Sequence, residues 1–99
     1  MRLVPLRIPA GWTVAVNSFV EDPGDEQLSE DLLQLRAGEL YLDVGWSGGR
    51  YRLELTEGDA THLRLEHPSP EYIREAIDLI LAELARDADP GSLQRLLAT

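Results

Sequence analysis

The chain has 99 residues, of which 43% are hydrophobic and 27% are charged, as expected for one soluble globular domain spanning residues 1–99. Eighteen acidic residues and nine arginines, with no lysine, give a formal charge of −9. This charge repels nucleic acid and anionic membranes and attracts basic proteins. The absence of cysteine excludes disulfides and thiol catalysis, and the N-terminus lacks the apolar stretch of a signal peptide, so we expect a cytoplasmic protein.

The first twenty residues are predicted to be extended. Residues 2–8 are predicted to form an edge strand or an extended arm, because Pro5 and Pro9 cannot donate a hydrogen bond to a sheet. Residues 12–20 alternate between apolar and polar side chains, which is typical of a strand with one buried face. That face is expected to carry Trp12, Val14 and Val16.

A strongly acidic segment follows. It contains no base and ends at residue 31, and residues 22–25 (Asp-Pro-Gly-Asp) predict a turn within it. The acids lack the spacing of a calcium-binding EF-hand loop, so three interpretations remain: a solvated loop, a surface for a basic protein, or a cation site of another kind. The candidate partner-binding residues are Glu21, Asp22, Asp25, Glu26, Glu30 and Asp31.

Residues 31–67 predict an antiparallel meander with one buried and one solvated face. Four alternating runs, at 32–36, 40–46, 50–55 and 61–67, are separated by short glycine-containing turns. The apolar face is expected to bury Trp46 with the leucines. The opposite face mixes charges, which favours either cross-strand ion pairs or a binding surface. Its side chains are Glu39, Tyr41, Asp43, Arg50, Arg52, Glu54, Arg64 and Glu66.

A change of period at residues 68–70 predicts a helix over residues 70–87. Ser69 suits the N-cap and Pro70 the first helical position. Its apolar stripe comprises Ile73, Ala76, Ile77, Ile80, Leu81 and Leu84. Residues 89–91 end this helix, and three leucines beyond them predict a short terminal helix. The predicted fold class is therefore α+β, with a meander of five to six strands packed on one face by the C-terminal helix.

Catalytic and metal-binding patterns are not found in the sequence. His62 and His67 lie five residues apart on a predicted strand, which places them on opposite faces and makes a shared metal site unfavourable. The glycine-rich residues 45–49 lie between strands, so they predict a hairpin rather than a phosphate-binding loop. No serine has the G-x-S-x-G context of a hydrolase. We therefore expect no enzyme activity, no cofactor and no metal.

The pattern P-x-G-W-x-V-x-x-N-x-F over residues 9–19, with L-D-V-G-W over residues 42–46, resembles a group of small acidic bacterial proteins. These are the immunity proteins of polymorphic toxin systems, and the resemblance covers about residues 8–55. It implies a soluble inhibitor of a cognate toxin and assigns no binding residue. Nuclease toxins are often basic, so the charge of this chain agrees with that implication.

Two hypotheses of function follow. The chain is an immunity-type inhibitor that binds a basic toxin through the acidic loop and the sheet edge. Alternatively, it is an oligomeric structural or accessory domain that forms a homodimer through its sheet edge or its helix 70–87. Neither hypothesis involves nucleic acid or a membrane.

Overall fold

The computed structural model describes residues 3–21, 28 and 31–97. One antiparallel sheet contains, in spatial and chain order, β1 (Thr13–Asn17), β2 (Leu33–Ala37), β3 (Leu40–Ser47), β4 (Arg50–Glu57) and β5 (Ala60–His67). The sheet is followed by α1 (Pro70–Ala85), a 3-10 turn (Pro90–Ser92) and α2 (Leu93–Leu97). The predicted α+β class, with its antiparallel meander and C-terminal helices, is confirmed.

The hairpin between β3 and β4 turns on Gly48 and Gly49, whose φ values are 63° and 82°. A two-residue hairpin of this type needs positive φ at both central positions, which glycine adopts without steric cost. The turn fixes a register in which Trp46 lies opposite Tyr51 and Val44 opposite Leu53. The glycine-rich segment is therefore a hairpin, as predicted.

Helix α1 covers the apolar face of the sheet. Leu53 of β4 and Ile77 of α1 are both 0% exposed, which confirms the predicted packing of the helix against the strands. The buried residues of α1 recur at helical spacing and join one core with the sheet and with Leu93 of α2. They are Ile73, Ala76, Ile77, Ile80 and Leu81.

Both ends of α1 have local causes. The Tyr72 amide donates to Ser69 Oγ (3.4 Å), and Pro70 occupies the first helical position, as the sequence predicts. The helix ends at Ala85, two residues before the predicted end. The amides of Arg86 and Asp87 donate to carbonyls three residues back, and Asp87 has a φ of 61°. This tight last turn and the left-handed residue stop the helix.

The N-terminal segment is an extended arm rather than a full strand. It contacts the sheet region only briefly, through a bridge between Leu3 and Val20 and a hydrogen bond from the Val4 amide to the Phe19 carbonyl (2.8 Å). The arm then reaches α1, where the Arg7 amide donates to Asp78 Oδ1 (3.2 Å). Pro5, which has no amide proton, interrupts the pairing, as the sequence indicates.

The prediction that Trp12, Val14 and Val16 lie on one buried face of the first strand is wrong. Val14 pairs with Leu35 but Val16 pairs with Gln34, so one extra residue lies between the two valines on β1. Leu35 faces the core and Gln34 faces the other side of the sheet, and the two valines therefore do not share a face. Val14 is 46% exposed, whereas Trp12 is half-buried against the core. Such a bulge interrupts the two-residue period on which the prediction depended.

Candidate protein-binding surface

The acidic loop joins β1 to β2 at one end of the sheet. Of its six predicted binding residues, the structure describes Glu21 and Asp31. Asp22, Asp25, Glu26 and Glu30 lie outside the described residues. The ends of the loop are held together, since the Ser18 amide donates to the Leu32 carbonyl (2.7 Å). The loop is therefore anchored on the sheet at both ends.

The two described acids lie in different surroundings. Glu21 lines a cavity of about 290 Å³ between the arm and the first turn of α1, together with Pro5 and Glu71. Asp31 is exposed at the start of β2, where Gln34 Nε2 donates to Asp31 Oδ1 (3.4 Å). The start and the end of the acidic loop thus face different parts of the molecule.

The face of the sheet opposite α1, which we call the outer face, carries a row of polar side chains. The register aligns Gln34 of β2, Asp43 of β3, Glu54 of β4 and Arg64 of β5 across four strands. Two carboxylates are direct neighbours in this row, and like charges in cross-strand pairs are destabilising. Arg52 Nε contacts Glu54 Oε1 at 3.0 Å and offsets part of that repulsion.

Asp43 shows the effect of this arrangement most clearly. Burial raises the pKa of its carboxyl group above the ordinary value of 3.8, and the charges of Glu54 and Asp31 raise that pKa further. The guanidinium of Arg52 lowers it, but by less than these effects raise it. Asp43 therefore lies in a negative potential that extends from the outer face to the end of the acidic loop.

We call Asp31, Asp43 and Glu54 the acidic patch. The sequence placed Asp43 and Glu54 on the solvated face, for which a binding surface was one of two interpretations, but did not group them with Asp31. The signal was present in the turn lengths, because the two-residue turn at Gly48–Gly49 fixes Asp43 opposite Glu54. The contribution of Asp31 could not be found in this way, since Asp31 precedes the paired residues of β2, which begin at Leu33.

The two histidines take part in separate contacts. His62 Nε2 lies 2.9 Å from Glu57 Oε1 at the turn between β4 and β5. His67 Nδ1 accepts a hydrogen bond from the Ser69 amide (3.0 Å), and its ring stacks on Tyr72 with a centroid distance of 4.0 Å. Across residues 3–21, 28 and 31–97, no three histidine or acidic side chains are grouped to hold a metal ion.

The tryptophans contribute to the margin of the core rather than to the acidic patch. Trp46 is half-buried and meets Tyr51 edge to face at 4.9 Å, and Tyr51 in turn meets Phe19 at 5.6 Å. Tyr41 is instead 42% exposed on the outer face. It lines a shallow depression with Thr13 of β1 and Arg36 of β2.

The two edges of the sheet differ. At the β5 edge, the Arg64 amide donates to Gln94 Oε1 of α2 (3.0 Å), so the C-terminal segment covers part of that edge. At the β1 edge, residues 13–17 contain no charged residue and no proline, and no described strand other than β2 pairs with them. Charges, prolines and covering segments are the usual protections of an edge strand. Among the described residues, the β1 edge has none of these three protections, and the bulge between Val14 and Val16 is the one edge protection that β1 carries.

Within the described part of the chain, no helix has the length and apolar character needed to cross a membrane. None of the protein-family models, curated proteins or solved structures compared with the chain matches it.

Proposed function

We propose that this chain is a non-enzymatic, cytoplasmic protein-binding domain that inhibits a basic toxin, like the immunity proteins its sequence resembles. The observation that carries the proposal is the acidic patch next to the acidic loop. Apart from the larger effect of burial, Glu54 and Asp31 each raise the pKa of Asp43 by more than Arg52 lowers it, so the negative charges around this carboxylate outweigh that positive charge. A lysine or arginine of a partner would supply further positive charge.

The net charge of −9 adds long-range attraction for such a partner. Opposite charges on two proteins raise the rate of association and favour the correct partner over others. A toxin that acts on nucleic acid needs a basic groove for phosphates, and an acidic surface can block that groove. The non-enzymatic part of the proposal rests on the sequence, in which no catalytic motif occurs.

Capture of the partner from the native organism with the immobilised chain, followed by mass spectrometry, tests the proposal directly. We expect a basic protein whose toxic activity is lost when this chain is bound. Capture of acidic or neutral proteins alone, or a captured protein that stays fully active in the complex, would contradict the proposed function.

Binding kinetics then test the role of the acidic loop. We expect that neutralising four loop acids, by Asp22→Asn, Asp25→Asn, Glu26→Gln and Glu30→Gln together, slows association on the order of tenfold. The wild-type on-rate should also fall as NaCl rises from about 50 to about 300 mM, because salt screens exposed charges. Surface-based binding measurements at both salt concentrations give these rates.

The matched control removes the same number of charges from exposed positions away from the loop. It combines Glu39→Gln, Asp59→Asn, Glu75→Gln and Asp87→Asn. A loop-specific interface requires a smaller loss of on-rate in this control than in the loop variant. Equal losses would show that only net charge matters. If the loop variant binds with the on-rate of the wild type, the double variant Asp43→Asn/Glu54→Gln tests whether the acidic patch is the interface.

The open β1 edge favours a second candidate, an oligomeric structural or accessory domain. Two copies could pair their β1 strands antiparallel and extend the sheet, with no like charges opposed between the strands. The exposed surface of α1 is less suitable, since it carries several acids, including Glu71 and Glu75. Repulsion between two chains of charge −9 opposes the homodimer.

Sedimentation of the purified chain separates the two candidates. A dimer at micromolar concentration that Val14→Lys converts to monomer would support edge pairing, because lysine is a common protection of edge strands. Glu75→Lys on α1 is the control, since it adds the same side chain away from the edge. A monomer at all concentrations would contradict this second candidate.

A further inference from the structure

We draw no further inference here: the strongest candidate, the cavity of about 290 Å³ between the N-terminal arm and the first turn of α1, carries nothing because, beyond the charged residues Glu21, Glu71 and Arg74 that line it, nothing in the described residues shows what would occupy it.

Discussion

At the scale of single residues, Asp43 links the electrostatics of the surface to the stability of the fold. Burial and two neighbouring carboxylates raise its pKa, so the folded state binds its proton more tightly than the unfolded chain does. The stabilisation from this protonation is complete below the ordinary value of 3.8. It is lost as pH rises through the folded-state pKa. At neutral pH the ionised Asp43 is therefore a cost to the folded state.

Asp43→Asn should remove that cost. We expect a higher urea midpoint than wild type at pH 7 and no difference at about pH 3, where the wild-type carboxyl is protonated as well. Urea unfolding at the two pH values measures both. Asp59→Asn, on the exposed turn between β4 and β5, is the control and should change little at either pH. Destabilisation by Asp43→Asn at pH 7 would contradict the conclusion that the ionised carboxyl group of Asp43 destabilises the folded state.

At the scale of elements, the contact between α1 and the sheet holds most of the core. Ile77 lies in the middle of the buried stripe and is 0% exposed. We expect Ile77→Ala to lower the free energy of unfolding by about 2–5 kcal/mol, because it removes buried methyl groups and leaves a cavity. Denaturant midpoints give the value.

Glu75→Ala is the control on the same helix, since Glu75 is exposed and its change should stay within about 0.5 kcal/mol. Similar losses in the two variants would show that α1 does not depend on its buried stripe.

The elements also show what the sequence can and cannot predict. Turn glycines such as Gly48 and the cap residue Ser69 act locally, so the meander and the start of α1 followed from their neighbours in sequence. The bulge in β1 depends on how that strand pairs with β2, which no local pattern reports. The candidate site divides in the same way. The acidic residues of the loop can be identified directly in the sequence. The raised pKa of Asp43 could not be predicted from it, because that requires both the cross-strand register and the position of Asp31.

At the scale of the whole molecule, the excess of nine negative charges acts over distances comparable to the protein itself. Its dimensions are 36 × 27 × 23 Å. The screening length is about 30 Å at 0.01 M salt and about 8 Å at 0.15 M. At low salt, acids on opposite sides of the molecule therefore repel each other, whereas at physiological salt only neighbours do.

We therefore expect the melting temperature to rise by a few degrees between about 0.01 and about 0.15 M NaCl. Thermal unfolding followed by circular dichroism measures this shift. The variant that lacks the charges of Glu39, Asp59, Glu75 and Asp87 should respond less, because it has fewer charges to screen. A melting temperature that falls with salt would mean that local ion pairs, such as Arg52 with Glu54, outweigh the net repulsion.

The hydrogen bond from the Arg64 amide to Gln94 Oε1 limits where the strand of another chain could be added to the sheet. A sheet with two free edges can add copies at both, and such addition continues into a filament. Here the C-terminal segment covers part of the β5 edge, which makes the β1 edge the more open one for pairing. Antiparallel pairing of two β1 edges would consume both, so a third copy would find no equivalent edge. Assembly through β1 pairing should therefore stop at two chains as long as the C-terminal segment stays on the β5 edge, which protects an uncharged edge strand from forming fibres.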